Sequence, residues 1–465
     1  MESLIKYTHN LFISKQISCT QFIREKLDRL KKNRLNSVNS LLESFALKRA
    51  AEVDEKLSKN QEIGLLEGIP FGIKDVYMLK GTISTASSDF LKNYTCAYTA
   101  TAIQKLLDKG AIPIVKENCD CFGHGSSSEN TIFGAVKNAT NPSLVAGGSS
   151  GGSATNVAAG HTLFSIGGDT GGSIRQPAGY NKVFGLKPTY GRVSRFGLMA
   201  YASSTDCVGP IATTLEDIRI VLNVISGVDK KDQTTYVSKN IEKTDITKKS
   251  VNTVGYYKEF IKNDTLDNKI RNSFLDSLEK LRKNGIEIKE LDFFNPDVLV
   301  STYYILAMAE TASNLARLDG SSYGTRIENE QLKQSYFITR SVNFTEETKN
   351  RIIAGNQVLA QGYSEEIYLK ALSIRDEISQ NFDKSLKKVD IILSPVSPNT
   401  PPRIGESLKN TMAMYLSDVY TVGFSLGKLP TLTIPIFTPC GVQITAAKDN
   451  EKTIFDFANF LQKRF

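Results

Sequence analysis

Residues 147–178 read GGSSGGSATNVAAGHTLFSIGGDTGGSIRQPA, in which two glycine and serine blocks enclose a run of small residues and a short apolar segment. The first block is 147–153 and the second is 167–173. A phosphate-binding loop of the Walker type needs a lysine after its glycines, and neither block has one. Flexible linkers are also disfavoured, because apolar rather than Pro/Ser-rich segments flank both blocks. The glycines instead indicate backbone loops that can approach a ligand closely.

The second block ends in Thr170-Gly-Gly-Ser173, which indicates a serine nucleophile beside its own oxyanion hole. The backbone N–H groups of Thr170, Gly171, Gly172 and Ser173 can surround the negatively charged oxygen that forms during amide or ester cleavage. A serine at neutral pH still needs a base that takes its proton. The candidate bases are a histidine and a lysine that burial keeps neutral.

Histidine is a weak candidate, because the chain has only three: His9, His124 and His161. His9 lies near the terminus, and His161 follows a glycine at a predicted helix-to-strand turn, where a structural role is expected. His124 lies in a loop, Phe-Gly-His-Gly-Ser-Ser-Ser, that can approach a site. No G-x-S-x-G and no H-E-x-x-H motif accompanies any of them. These observations disfavour a Ser-His-Asp hydrolase and a zinc peptidase.

Lys74 is the candidate base, in the apolar segment Ile69-Pro-Phe-Gly-Ile-Lys-Asp75. In a strand, Gly72 and Lys74 share one face and the apolar residues share the other. A glycine at that position leaves room for another backbone to come close. Burial would lower the pKa of the lysine, because desolvation disfavours its charged form. Taken alone, Lys74 would be interpreted as a surface lysine, so its assignment depends on the two glycine blocks.

Together these segments resemble the amidase signature family, in the motifs at 147–154, at 168–178 and at Gly72-Ile-Lys-Asp75. The resemblance implies a Ser–cis-Ser–Lys triad. In this triad Ser173 forms the acyl-enzyme, Ser149 follows a cis peptide bond and passes the proton, and Lys74 is the base. The three residues occur in the order and with the spacing usual in the family. The implied fold is α/β, the amidase signature fold, with a central mixed β-sheet covered by helices on both faces.

Segments outside the signature, at 303–320, 351–355 and 414–418, resemble one branch of this family, the A subunits of glutamyl-tRNA(Gln) amidotransferases. This resemblance covers roughly residues 15–465. It implies a glutaminase subunit that hydrolyses glutamine and supplies ammonia for the conversion of Glu-tRNA(Gln) to Gln-tRNA(Gln). Arg351 is expected to bind the carboxylate of glutamine and Asp418 its ammonium group, while Tyr303 adds a hydroxyl contact.

The same resemblance implies no cofactor and no metal in this chain. ATP and Mg²⁺ are expected on a partner, the tRNA-binding kinase subunit of the amidotransferase, with a third small subunit as a further candidate. We expect tRNA to be contacted mainly through the partner. Two alternatives stay open: a stand-alone amidase that acts on another small amide, and a non-catalytic scaffold subunit.

One stretch departs from the family pattern. Residues 118–127 read NCDCFGHGSS, where the family usually has Asn-Met-Asp-Glu-Phe-Ala-Met-Gly-Ser-Ser. Cys121 therefore replaces an acidic residue and His124 an apolar one. The segment after Pro435 is also shortened, and the net charge of +8 contrasts with that expected of acidic bacterial subunits. These departures predict a mitochondrial matrix protein, or a cytoplasmic one if the chain is bacterial.

The composition is that of an ordinary globular protein, with 465 residues, of which 40% are hydrophobic and 23% charged. No apolar run approaches the roughly 18 residues of a membrane-spanning helix, so we expect no membrane span. The six cysteines form no C-x-x-C pair, which disfavours a zinc site or a disulfide framework and favours a reducing compartment. The positive charge is compatible with an RNA-associated protein and equally with a solvated basic surface.

We predict a single amidase domain over residues 1–465, with a signature core at about 60–225 and a polar surface excursion at about 229–250. Apolar periodicity predicts helices at 14–34, 99–109, 267–284, 301–318 and 363–383. A capping box at Thr213-Thr-Leu-Glu216 predicts a further helix to about Ser226. Short apolar runs predict strands at 111–115, 162–166, 286–291, 389–394 and 430–436.

Overall fold

The computed structural model describes residues 2–241, 251–409 and 411–465, and a β-sheet forms its centre. The strands of this sheet are β1 (Val38–Leu41), β2 (Pro70–Lys74), β3 (Ile112–Glu117), β4 (Phe164–Asp169), β5 (Phe184–Lys187), β6 (Cys207–Ala212), β7 (Thr253–Tyr257), β8 (Glu287–Leu291), β9 (Ile391–Pro395), β10 (Thr431–Ile434) and β11 (Val442–Thr445). Their order across the sheet is β1-β3-β2-β4-β6-β5-β10-β11-β9-β7-β8.

The sheet is mixed. β2 pairs in parallel with β3 and β4, and β7 pairs in parallel with β8 and β9. The other pairings are antiparallel. The parallel pairs lie towards the two ends of the sheet, and the strands between them are antiparallel. Helices flank the sheet, and parallel strands such as β2, which is buried along its whole length, need such cover. The α/β prediction with a central mixed sheet is therefore confirmed.

The α-helices of the described residues are α1 (Leu4–Ile13), α2 (Cys19–Lys31), α3 (Glu43–Ser58), α4 (Thr101–Asp108), α5 (Gly151–Ala158), α6 (Arg175–Tyr180), α7 (Leu215–Ile225), α8 (Lys258–Lys262), α9 (Asn268–Lys283), α10 (Pro296–Asn314), α11 (Leu332–Asn343), α12 (Glu346–Leu359), α13 (Lys370–Ser385), α14 (Thr411–Leu416), α15 (Val422–Leu426) and α16 (Glu451–Arg464). A π-helix, Ser364–Leu369, precedes α13. Within the described ranges, none of these helices is long and apolar enough to cross a membrane.

The helix predicted at 14–34 is wrong at its start, because the chain forms α1, then a break, then α2. Ser18 caps α2 by accepting a hydrogen bond from Gln21 N, and this cap sets where the helix begins. His9, which lies near the terminus, is part of α1. The capping box is displaced by one residue, since Thr214 rather than Thr213 accepts the hydrogen bond from Asp217 N.

The predicted strands occur with ends shifted by a few residues, and the apolar segment that ends at Lys74 also forms a strand, β2. All five residues of β2 are buried, because β3 and β4 flank it and both of its faces are covered. The expectation that Gly72 makes room for another backbone is wrong. A Cβ there would lie 1.9 Å from Glu117 Oε1 and 2.6 Å from Ser165 Oγ, so two neighbouring side chains use the space.

The predicted polar excursion at 229–250 is described only as far as residue 241. Its first part is fixed to the body of the protein, since Asp229 Oδ2 accepts hydrogen bonds from Thr101 and Ser194, each at 2.6 Å. Residues 242–250 lie outside the described part of the chain. Strands before and after the excursion lie in the same sheet. The single-domain organisation stays our proposal, and the shared sheet supports it.

Candidate active site

The sheet brings the predicted base and the predicted nucleophile to one edge. β2 and β4 run parallel, so their carboxyl-terminal ends lie side by side. Lys74 is the last residue of β2, and the loop from Thr170 to Ser173 follows directly after β4. The N-terminus of α5 lies just after Ser149.

Lys74 is buried, with 2% of its surface exposed. Its Nζ atom lies 2.7 Å from Ser149 Oγ and 3.5 Å from the carbonyl oxygen of Gly168. Burial lowers the pKa of Lys74, because the charged ammonium group is desolvated there. A lysine in this state can accept a proton from a neighbouring hydroxyl.

Ser149 follows a cis peptide bond from Gly148. Gly148 N donates a hydrogen bond to Gln176 Oε1 at 2.9 Å, which fixes the first glycine block against α6. The two blocks also bind each other directly, since Ser150 N donates to the carbonyl oxygen of Ser173 at 3.0 Å. Ser149 and Ser173 are thus held on adjoining loops.

Ser173 is almost buried, with 9% of its surface exposed. In the part of the chain that the structure describes, its hydroxyl has no hydrogen-bond partner. The loop around it is anchored by a buried ion pair, in which Arg175 Nη2 lies 2.9 Å from Asp169 Oδ1. Asp169 Oδ2 also accepts hydrogen bonds from the backbone N–H groups of Ile174 and Arg175. The serine can therefore rotate while its backbone stays fixed.

The loop has free backbone donors. Among the described residues, no group accepts a hydrogen bond from the N–H groups of Gly171, Gly172 or Ser173. Side chains would not fit at the glycines, because a Cβ at Gly171 would lie 2.5 Å from the Tyr303 ring and one at Gly172 would lie 2.4 Å from Thr421 Oγ1. Free N–H groups beside a serine hydroxyl are suited to bind an oxyanion.

A carboxylate that the sequence did not indicate holds the first residue of this loop. Thr170 Oγ1 donates a hydrogen bond to Asp206 Oδ1 at 2.6 Å. Asp206 also accepts hydrogen bonds from the backbone N–H groups of Tyr201 and Ala202. Burial raises the pKa of Asp206 to about 6. Asp206 therefore links the candidate oxyanion loop to Tyr201.

Tyr201 in turn contacts Arg351, the predicted carboxylate ligand. Arg351 Nη1 donates to the Tyr201 hydroxyl at 2.5 Å, and Nε donates to Glu347 Oε1 at 2.7 Å. The guanidinium also lies against the rings of Tyr201, Tyr304 and Tyr415. Its remaining nitrogen, Nη2, is buried and has no partner among the described residues. An anion at Nη2 would satisfy this donor.

Asp418 also contacts Tyr304, through the hydroxyl group of that tyrosine. The hydroxyl groups of Tyr304 and Ser126 each donate to Asp418 Oδ2 at 2.8 Å. Burial raises the pKa of Asp418 to about 6, so the carboxylate is mostly ionised at neutral pH. Tyr303 packs instead on Gly171 in the oxyanion loop. No sequence signal indicated the contact between Tyr304 and Asp418.

The residues that depart from the family pattern are both buried. His124 Nδ1 lies 3.2 Å from Thr348 Oγ1, and its ring packs edge-to-face on Tyr201. Burial lowers the pKa of His124 well below its usual value, so the ring is neutral. Cys121 is likewise fully buried, and burial raises the pKa of its thiol. His161, expected to be structural, lies 3.2 Å from Asn156 Oδ1.

The described ranges contain no group of three or more His, Cys, Asp or Glu side chains that could hold a metal ion. The polar groups at the site are a lysine, two serines, free backbone amides and the side chains of Arg351 and Asp418. This set can carry out nucleophilic cleavage of an amide bond in a small zwitterionic substrate.

Comparisons with known proteins identify the family. The Amidase family model matches residues 21–455. The chain is 40% identical to A subunit 2 of the glutamyl-tRNA(Gln) amidotransferase from Clostridium acetobutylicum, over 100% of this chain and 99% of that protein. It is 41% identical to the glutamyl-tRNA(Gln) amidotransferase A subunit of Gloeothece citriformis, over 98% of this chain and 96% of that protein.

A solved structure agrees with these relatives. The crystal structure of the glutamyl-tRNA(Gln) amidotransferase A subunit from Thermotoga maritima superposes with a TM-score of 0.76 at 32% identity. The match covers 94% of this chain and 89% of that one. The chain belongs to the amidase signature family, and its relatives within that family include the glutamyl-tRNA(Gln) amidotransferase A subunits.

Proposed function

We propose that this chain is the glutaminase subunit of a glutamyl-tRNA(Gln) amidotransferase, which hydrolyses glutamine and supplies the ammonia that converts Glu-tRNA(Gln) to Gln-tRNA(Gln). The observation that carries the proposal is the unpaired, buried Nη2 of Arg351, which lies with Asp418 around the shared neighbour Tyr304. A free α-amino acid carries one carboxylate and one ammonium group, which match this pair in charge.

The chemistry begins at Ser173. Its Oγ attacks the side-chain carbonyl carbon of glutamine, while its proton passes through Ser149 to neutral Lys74. The negative charge that develops on the carbonyl oxygen is stabilised by the free N–H groups of the loop from Thr170 to Ser173. The 2.7 Å contact between Lys74 and Ser149 supports this proton route.

The intermediate then collapses with breakage of the C–N bond. The proton returns through Ser149 to the departing nitrogen, which leaves as ammonia, and the glutamyl group stays on Ser173 as an ester. Water hydrolyses the ester, glutamate leaves, and the free serine is restored. Lys74 is neutral at the start and at the end of the cycle.

The substrate contacts follow from the same geometry. Arg351 can offer Nη2 to the substrate carboxylate, and the tyrosine rings around its guanidinium hold it in a fixed orientation. Asp418 is available for the ammonium group, and two hydroxyl donors fix its Oδ2 atom. Tyr303 is the proposed third contact, a hydroxyl at the amino-acid end of the substrate, and its ring also packs on Gly171 in the oxyanion loop.

The proposed activity requires partners for this chain. The relatives are named as subunits, so we propose a tRNA-binding kinase subunit that uses ATP and Mg²⁺, with a third small subunit as a further candidate. We propose that tRNA binds mainly through the kinase subunit. The relatives reported above are bacterial, so they give no support to the predicted mitochondrial location. The cytoplasmic alternative stays a prediction.

The test is ammonia release from glutamine by this chain co-expressed with its candidate tRNA-binding partner, in the presence of Glu-tRNA(Gln) and ATP. We expect glutamine cleavage to be coupled to Gln-tRNA(Gln) formation. Hydrolysis of simple amides at equal or better efficiency, without any dependence on tRNA, would instead favour the stand-alone amidase. A complex with neither activity would favour the scaffold alternative.

A further inference from the structure

His124 lies between the two helices that carry the proposed substrate contacts, and its side chain is fully buried. Its Nδ1 atom lies 3.2 Å from the hydroxyl oxygen of Thr348 on α12. Its Nε2 atom lies 3.4 Å from the hydroxyl oxygen of Thr311 on α10. Helix α12 carries Arg351, and helix α10 carries Tyr304. One imidazole ring therefore joins both helices.

The geometry of α12 couples this ring to the substrate arginine. Thr348 and Arg351 are three positions apart on the helix, so their side chains lie on the same face. The backbones of α10 and α12 are in close contact, because a Cβ at Gly355 would lie 1.9 Å from the carbonyl oxygen of Met308. A hydrogen bond at Thr348 therefore acts on a closely packed helix pair and fixes the direction of the guanidinium group.

Tyr201 gives His124 a second connection to Arg351. The imidazole packs edge-to-face on the Tyr201 ring, with the ring centres 4.7 Å apart. The hydroxyl of the same tyrosine accepts a hydrogen bond from Arg351 Nη1 at 2.5 Å, while the buried Nη2 has no partner among the described residues. The position of Nη2 thus depends on Tyr201 and on α12, and His124 contacts both.

The hydroxyl groups around His124 determine which ring nitrogen carries the proton. Thr348 Oγ1 accepts a hydrogen bond from Thr345 Oγ1 at 3.0 Å, so its own proton remains to be donated. The sulfur of Cys121 also lies beside this hydroxyl, but a thiol sulfur is a weaker acceptor than a neutral imidazole nitrogen. Thr348 therefore donates to Nδ1, and the Nε2–H group donates to Thr311. A neutral ring also suits the nearby guanidinium, which would repel an imidazolium.

We propose that His124 is a positioning residue for glutamine: its Nε2–H tautomer joins α10 to α12 and aims Nη2 of Arg351 at the substrate carboxylate. The inference rests on the proposed function, because the carboxylate in question is that of glutamine. The methionine usual at this position in the family could not replace these contacts, since its sulfur is a weak acceptor and donates nothing. His124 therefore sets how tightly this chain binds the amino-acid end of its substrate.

The kinetic test measures ammonia release from glutamine by the complex with its tRNA-binding partner. We expect His124→Met to raise KM about fivefold to twentyfold and to leave kcat within about threefold, because the guanidinium does not touch the reacting carbonyl. His124→Gln keeps one acceptor and one donor, so its KM should stay within about threefold of that of the unchanged chain. The matched control is His161→Met, the same substitution before β4, at the end of that strand opposite to the oxyanion loop. It should alter neither constant.

A double-mutant cycle with Arg351→Lys separates positioning from a general structural role. Because His124 acts through the guanidinium, His124→Met should change KM by less than about twofold in a chain that already carries Arg351→Lys. A merely structural effect of His124→Met would instead multiply with that of Arg351→Lys. Two effects that multiply independently overturn the inference.

The tautomer is tested directly by NMR of the full chain labelled with ¹⁵N in its histidine side chains. The chain has three histidines, and the variants His9→Met and His161→Met identify two of the signals, so the remaining one belongs to His124. We expect the imidazole ¹⁵N shifts to show a proton on Nε2 and none on Nδ1. A protonated Nδ1 overturns the inference, and this measurement decides the matter should His124→Met fail to fold.

The outcomes separate this inference from the function on which it rests. Glutamine hydrolysis with an unchanged KM in His124→Met overturns the inference alone. A folded complex of the unchanged chain that does not hydrolyse glutamine overturns the proposed function and the inference with it.

Discussion

The Nζ atom of Lys74 lies 2.7 Å from the Oγ atom of Ser149, and both residues are almost completely buried. In water a lysine would be protonated at neutral pH and could not take a proton. Here desolvation lowers its pKa and makes the neutral amine accessible. The proposed catalytic cycle depends on this pair.

Replacement of Lys74 by arginine tests the need for a neutral amine. Arginine keeps a long cationic side chain, but its guanidinium stays protonated and cannot accept the proton of Ser149. We expect Lys74→Arg to lower kcat for glutamine by about a thousandfold or more, measured as ammonia release. Lys26→Arg, which changes a partly buried lysine that donates to Gly160 O, serves as the control. Near-normal turnover in Lys74→Arg would rule out lysine as the base.

Replacement of Arg351 by lysine tests carboxylate recognition. The shorter ammonium group loses the Nη2 donor and the contacts with three aromatic rings. Hydrogen bonds to charged groups contribute about 1.5–3 kcal/mol, so KM for glutamine should rise about tenfold to a hundredfold. We expect kcat to change less, because the guanidinium does not touch the reacting carbonyl. Lys349→Ala, on the same helix, should leave KM unchanged.

The ionisation of Asp418 predicts a specific pH dependence. Burial raises the pKa of this carboxyl to about 6, so the group is charged above that pH and neutral below it. Protonation removes the partner of the substrate ammonium group. We therefore expect kcat/KM for glutamine to fall about tenfold per pH unit below pH 6. Glutaramic acid has the amide and the carboxylate but no ammonium group, and it provides the reference.

The ratio of the two kcat/KM values isolates Asp418, because protonation of Lys74 affects both substrates equally. We expect the ratio of glutamine to glutaramic acid to decrease as the pH falls through about 6. A ratio that stays constant between about pH 5 and pH 8 would contradict the assignment of Asp418 as the ammonium ligand.

Asp206 gives a further prediction, since it joins Thr170 in the oxyanion loop to the backbone of Tyr201. Both carboxylate oxygens of Asp206 accept hydrogen bonds, from Thr170 and from the backbone of Tyr201 and Ala202. In Asp206→Asn one of these oxygens becomes an NH₂ group, which cannot accept. We expect kcat to fall about tenfold to a hundredfold as the oxyanion loop loosens, with a smaller change in KM. Asp232→Asn, which weakens an ion pair with Arg195 away from the site, is the control. Equal losses of kcat in both variants would indicate a general loss of stability.

The sequence predicts the candidate catalytic groups from short motifs. Glycines are needed at 147–148 and 171–172 because a side chain at any of these positions would collide with neighbouring atoms. The apolar segment before Lys74 indicated a buried strand. The structure has that strand and the cis bond before Ser149. The fold class followed from the same motifs.

The resemblance pointed to Arg351 and Asp418, but the contacts around them were not predictable from local patterns, because they join distant parts of the chain. Tyr304 reaches Asp418 across 114 positions, and Arg351 reaches Tyr201 across 150. No local pattern indicated that Tyr304, which is buried on α10 beside Tyr303, would contact Asp418. The start of α2 was missed for a different reason: apolar periodicity continued past the break that the Ser18 cap defines.

The most direct test of the central claim uses the Ser173→Ala variant in the complex with the tRNA-binding partner. Gln-tRNA(Gln) formation is measured once with glutamine and once with added ammonia as the nitrogen donor. We expect the glutamine-dependent rate to fall at least a thousandfold and the ammonia-dependent rate to stay within about twofold, because ammonia bypasses this subunit. A Ser173→Ala complex that still used glutamine at the normal rate would contradict the assignment of Ser173 as the nucleophile.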